Sequence, residues 1–305
     1  MSVDYRTEIR EFLASRRAKL TPEQVGLPKG GTRRVPGLRR GEVASLAGVS
    51  VEYYGRLERG DFIGVSDAVL DSIATALQLD EAEHAHLLDL ARALSDSPRR
   101  RKAASKQPQI RDGVQRLLDA ITLAPAFVRN GRSDILGINT LGRALYSEMF
   151  AQPGRPVNHA RFIFFDPRAT RFYPNWDQAA DDIVAILRSE AGRNPFDRAL
   201  SDLVGELSTR SEDFRARWAA HNVRHHYTGL KSFMHPVVGT IELSYEAMDL
   251  SADTGLSLLV YTALPGSPAE DSLRLLASWS ATVETERTIT VDSSLASDPD
   301  DSRRR

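Results

Sequence analysis

The chain has 305 residues, 41% hydrophobic and 27% charged, a composition that suits two folded units or one large one and excludes global disorder. It contains no cysteine, which removes disulfides, thiolate metal sites and cysteine nucleophiles and fits a reducing cytoplasm. The net charge of −1 conceals a segregated pattern: residues 1–61 carry +4, 62–98 carry −6, 99–111 carry +6 and 112–305 carry −5. Two basic segments in a nearly neutral chain point to polyanion binding through those segments alone. With no apolar run of about 18 residues and no leader-like start, no membrane partner is expected.

In chain order, Ile9, Phe12, Leu13 and Leu20 repeat near the helical period over roughly 4–20. A loop rich in Gly and Pro follows over 28–37, and a short helix over 38–47 is expected to bury Val43, Leu46 and Ala47. Gly48 ends it. Ser50 is placed to cap the next helix, Val51 to Glu58, whose inner face is Tyr54 and Leu57. A short helix, a glycine turn and a capped second helix is the helix-turn-helix pattern, with Val51, Glu52, Tyr53 and Arg56 facing outward on the second helix. Arginine donates two hydrogen bonds to guanine, and a carboxylate accepts from cytosine. Arg39 and Arg40 open the preceding helix, where backbone N–H groups also favour a phosphate, and Arg59 adds charge at the far end. From residue 29 to 59 there are seven basic and three acidic residues. Two further helices, capped by Ser66 and by an Asp80–Glu83 box, complete a small all-α domain over 1–94.

The stretch GLRRGEVASLAGVSVEYYGRLERG resembles the helix-turn-helix of the XRE, or lambda-repressor-like, family. The resemblance implies base contacts by Val51, Glu52 and Arg56 and a phosphate contact by Arg40. The chain departs from the family pattern in having Val51 and Glu52 at the first reading positions. It also has a long basic loop, whose Arg33 and Arg34 are expected to form an extra DNA-contacting arm.

Residues 95–110 read as a polar, basic linker, and as the element through which any signal would pass between two otherwise separate domains. A second domain is expected over 111–288. Its reading begins with a helix at 115–121 burying Val114, Leu117, Leu118 and Ile121, then two strands, 126–129 and 133–138, around the turn Asn130-Gly131. A helix capped by Asn139 follows, then helices over roughly 177–191, 196–208 and 211–220. Strands at 230–234, 237–248 and 256–263, a closing helix at 269–284 and a disordered tail over 289–305 complete it. The reading is an α+β, PAS-like domain with an antiparallel sheet and inserted helices.

FFDPRATRFYPNWDQAADDIVAILRSEAGR, WAAHNVRHHYTGLKSFMHPVVGTIELSYE and VYTALPGSPAEDSLRLLASW look like the MmyB-type ligand-binding domain of actinobacterial regulators. That resemblance implies a DNA-binding transcriptional regulator, not an enzyme, whose second domain holds a small apolar ligand such as a fatty acid in place of a cofactor. Double-stranded DNA and a second copy of the chain are the expected partners. Phe164, Trp176 and Trp218 are candidate pocket walls, and Arg171, His221, Lys231, His235 and Tyr245 candidate anchors for an acidic head group. His221, His225 and His226, with His235 nearby, invite a metal reading, but no Glu or Asp sits at the spacing of a HExxH site or its relatives, and structural histidines are the better account. The alternatives are a second domain that only dimerises, or one that is enzymatic or metal-binding.

Overall fold

The computed structural model describes residues 5–28, 37–62, 64–95, 109–151, 156–194, 197–220 and 227–295. The basic arm with Arg33 and Arg34, most of the linker, His221, His225, His226 and the last ten residues lie outside them.

The first unit is five helices: α1 (Tyr5–Lys19), α2 (Arg40–Leu46), α3 (Val51–Glu58), α4 (Asp67–Ala76) and α5 (Glu81–Ser95). Ile9, Phe12, Leu13, Leu38, Val43, Tyr54, Leu57, Leu70, Ile73, Leu87 and Leu90 form one core. Between α2 and α3 the chain turns at Gly48, whose φ of +68° is costly for any residue with a Cβ. The Ser50 side chain accepts from the Tyr53 N–H at 3.1 Å, fixing the start of α3. Asp80 and Glu83 cap α5 reciprocally, as the spacing predicts. Two expectations fail. Leu46 is exposed because the short α2 turns Val43 and Ala44 inward instead, and Ser66 occupies the start of α4 without a side-chain cap bond.

The second unit opens with α6 (Asp112–Ala120), then β1 (Ala126–Asn130), β2 (Ile135–Ile138), α7 (Thr140–Leu145), α8 (His159–Phe165) and α9 (Ala169–Phe172). Three helices follow, α10 (Trp176–Arg193), α11 (Arg198–Arg210) and α12 (Glu212–Ala219). The chain closes with β3 (Thr228–His235), β4 (Gly239–Asp249), β5 (Leu256–Thr262) and α13 (Pro268–Leu295). The five strands form one antiparallel sheet in the order β2-β1-β5-β4-β3, the α+β arrangement expected from the sequence. Asn139 caps α7 through the Gly142 N–H and also holds the Ala126 N–H, so one side chain ties the hairpin to the next helix. The closing helix continues to Leu295, so residues 289–295 are helical where a disordered tail was expected. Leu117, placed in the core by periodicity, is exposed because α6 lays only Val114 and Leu118 on the outer sheet face.

Strand register decides which side chains share a face. Phe127 pairs with Leu259, and Arg129 lies two residues along the same strand. Tyr261 pairs with Tyr245, Lys231 with Leu243 and Phe233 with Ile241, so these side chains all stand on the inner face. Helices α7 to α12 cover that face and form the main core with it.

The two units are packed together, which corrects the expectation of domains joined only through a linker. Helix α5 lies against α10. Arg188 of α10, with no exposed side-chain surface, forms an ion pair with Glu8 of α1, and Arg193 stands 3.9 Å from Asp89 of α5.

Candidate functional site

Two sites emerge. On the first unit, Val51, Glu52 and Arg56 of α3 are exposed together, with Tyr53 half-buried beside them and Arg39, Arg40, Ser50 and Arg59 exposed around them. Arg56 is held by Asp61 at 2.9 Å. Beneath this face lies a group the sequence reading missed. Glu58 is 1% exposed, and its carboxylate accepts from Arg17 at 2.9 and 3.0 Å and from Arg40. Arg17 also donates to the Leu38 carbonyl at 2.8 Å. The Arg40 side chain is thus tethered at its guanidinium while more than half of it stays open to solvent. The missed signal was spacing: Glu58 falls four residues after Tyr54 and one after Leu57, on the buried side of α3.

The second site is a small cleft of about 20 Å3 between the inner sheet face and α10. Its walls are Phe127, Ile183, Ile186, Leu259 and Tyr261, and its polar groups are Arg129, His159, Asp182, Lys231 and Tyr245. As it stands the cleft has room for about one water molecule, and polar and apolar groups share its lining about equally. Asp182 is satisfied within the fold: Lys231 stands 3.7 Å away and the Gln178 amide donates at 2.6 Å. The guanidinium of Arg129 has no hydrogen bond or ion pair with any described residue, although Arg129 is only 9% exposed. Burial pulls the pKa values of Arg129 and Lys231 below their ordinary range, against the pull of Asp182. Two cations face one carboxylate, so the cleft carries an uncompensated positive charge.

Behind the cations is a hydroxyl and imidazole network. Tyr146 and Tyr261 share a hydrogen bond of 2.6 Å, as do His159 and Tyr173. Burial raises all three phenols well above their ordinary range, keeping them neutral. Burial likewise holds His159 well below its usual 6.5, and the charges of Lys231 and Arg129 push the same way. The unfolded chain therefore takes up that proton first as pH falls. Stability is complete above pH 6.5 and should decline below it by about 1.4 kcal/mol per pH unit from this residue, until the folded imidazole itself titrates. Denaturant midpoints of wild type and His159→Gln at pH 7 and pH 5.5 check this: the variant should lose about one proton's worth of the slope, and an unchanged slope would contradict it.

Of the residues expected to line a ligand pocket, Lys231 and Tyr245 line this cleft. The others described stand elsewhere. Trp176 donates its indole N–H to the Ile163 carbonyl, Phe164 packs on Trp176 and Phe214, and Trp218 stacks on Phe214. Arg171 is exposed on α9, and buried His235 is bonded to the Ala144 carbonyl at 3.0 Å. These aromatics fill the core around α8, α10 and α12 because bulk alone does not decide which cavity a ring faces. Arg129, Asp182 and His159 were missed. The legible clue to Arg129 was the alternation of β1, which puts an arginine on the same inward face as Phe127.

Residues 110–276, more than half of the chain, match the family model of the MmyB-like transcription regulator ligand binding domain. The chain belongs to the MmyB-like transcription regulators. Residues 8–87 of this MmyB-like regulator match a helix-turn-helix domain model, so α3 and the inner-face cleft each fall inside a matched region. No curated protein gives a significant match. Among the described residues no helix is long and apolar enough to cross a membrane.

Proposed function

We propose that this chain is a sequence-specific, cytoplasmic transcriptional regulator whose operator affinity responds to an apolar small molecule bearing one carboxylate, held in the inner-face cleft. The observation that carries the ligand class is the uncompensated guanidinium of Arg129 among Phe127, Ile183, Ile186 and Leu259. A buried cation is stable only with a counter-charge, and Asp182 is already occupied by Lys231. A monoanion with an apolar body, such as a fatty acid, neutralises the charge, and the cleft must open around α10 to admit its chain, since it holds about one water as it stands. Native mass spectrometry before and after organic extraction tests this. An extractable carboxylic acid is the expected adduct; a neutral or cationic one would overturn the assignment.

On DNA, Val51, Glu52 and Arg56 are assigned to base edges and Arg39, Arg40 and Arg59 to phosphates. Arg56→Ala should cost about 1–3 kcal/mol on the preferred site and relax base preference there. Arg40→Ala should weaken all duplexes alike and flatten the salt dependence. Equal, sequence-independent losses in both variants would remove α3 from the reading role. The regulator is assigned as a homodimer on half-sites about 10 bp apart, or a multiple of that. Leu230, Met234 and Met248, exposed on the outer face of β3 and β4, offer apolar surface for a second copy.

A further inference from the structure

Helix α10 belongs to both sites. Asp182, Ile183 and Ile186 line the cleft, while Arg188, Gly192 and Arg193 meet the DNA-binding unit within the next two turns. The contact is built closely. The Arg188 guanidinium pairs with Glu8 of α1, bonds the Trp218 carbonyl and lies 4.2 Å from the centre of the Trp218 ring. At Gly192 a Cβ would stand 2.7 Å from the Nδ1 of His86, so only glycine admits the α5 side chain at that distance. His86 in turn meets Phe12 of α1 edge-on at 5.2 Å. A buried ion pair contributes little net stability but fixes one register, because any shift strands a charge. Val51, Glu52 and Arg56 remain exposed in this docked arrangement, so docking does not cover the reading face.

We propose that α10 is the rigid coupler between cleft and DNA. An anion drawn in by Arg129 and Lys231 shifts α10 at Asp182, Ile183 and Ile186, and Arg188 with Gly192 passes that shift to α1 and α5, re-aiming α3 without uncovering it. This rests on the carboxylate reading of the cleft. A ligand changes DNA affinity only by favouring one of two arrangements, and the effect is reciprocal.

The test uses the full chain, decanoate as probe and a duplex selected from random sequence by the wild-type protein. Calorimetry gives decanoate affinity, and anisotropy gives duplex affinity with and without it. In wild type, decanoate should change duplex affinity at least about fivefold. Arg188→Met, and Glu8→Gln as the milder change from the other side, should bind decanoate as wild type does yet respond less than about twofold. Variants that keep the wild-type response, or a wild type that binds decanoate without any response, would overturn the coupler. Failure of wild type to bind decanoate would instead count against the carboxylate reading. The coupler is then decided by hydrogen exchange over residues 179–193. Adding the duplex should change protection there in wild type and leave it unchanged in Glu8→Gln, and no change in wild type refutes the proposal.

Discussion

Replacing Arg129 with Met should weaken decanoate binding by about 2 kcal/mol or more, some thirtyfold, while raising the melting temperature of the empty protein. The two signs have one origin. A guanidinium buried without an anion costs stability in the empty cleft, and the same guanidinium gives a carboxylate its charge-assisted partner. Functional sites commonly carry such a conflict between stability and activity. Lys231→Met provides the contrast. Lys231 is the counter-charge of Asp182 at 3.7 Å, so its loss leaves a buried carboxylate and should lower the melting temperature while also weakening decanoate. Calorimetric titration and thermal melts of both variants decide it. An Arg129→Met protein that melts lower and binds decanoate normally would show that Arg129 serves the fold alone.

Glu58→Gln should cost about 3 kcal/mol or more of stability, because one buried carboxylate compensates two arginines. The effect on DNA has a different reach. Arg17 lies under the surface and its loss of partner is a folding matter, whereas Arg40 reaches solvent and is tethered by Glu58 beside the face assigned above to phosphates. Glu58→Gln should therefore weaken binding to all duplexes alike at temperatures where the variant is folded. Arg40→Met should reproduce that DNA defect with little change in stability, since Arg17 still satisfies Glu58. Denaturant melts and duplex titrations separate the two. A DNA defect in Arg40→Met combined with normal binding by folded Glu58→Gln would leave Arg40 independent of its tether.

Much of this was legible in the residues. Asn130-Gly131 between apolar runs marks the hairpin, the polar-apolar alternation of 239–249 and the apolar run of 256–262 mark the long strands, and Gly48 with Ser50 marks the turn into α3. These are local signals, read within a few residues. The cleft was less legible because strand pairing assembles it from Arg129, Lys231, Tyr245 and Tyr261, which are remote in sequence. Only pairing register shows that they share a face. Trp176 and Trp218 illustrate the ambiguity of aromatic rings, which suit a pocket and any core alike: both pack beside α8 and α12, away from this cleft. The contact between the units left no pattern, since Glu8 reads as a surface acid and Arg188 as a polar break in an apolar helix.

The ion pair of Arg188 with Glu8 bears on how this chain tolerates change in length. Among the described residues, the angle between the two units is set by α10 against α1 and α5, while the chain also joins them through the segment from 96 to 108. Lengthening that segment raises the entropic cost of bringing the units together by only about 0.6 kcal/mol per doubling. Insertions and deletions there can accumulate with the inter-unit angle unchanged, whereas one methyl group added at residue 192 would tilt it.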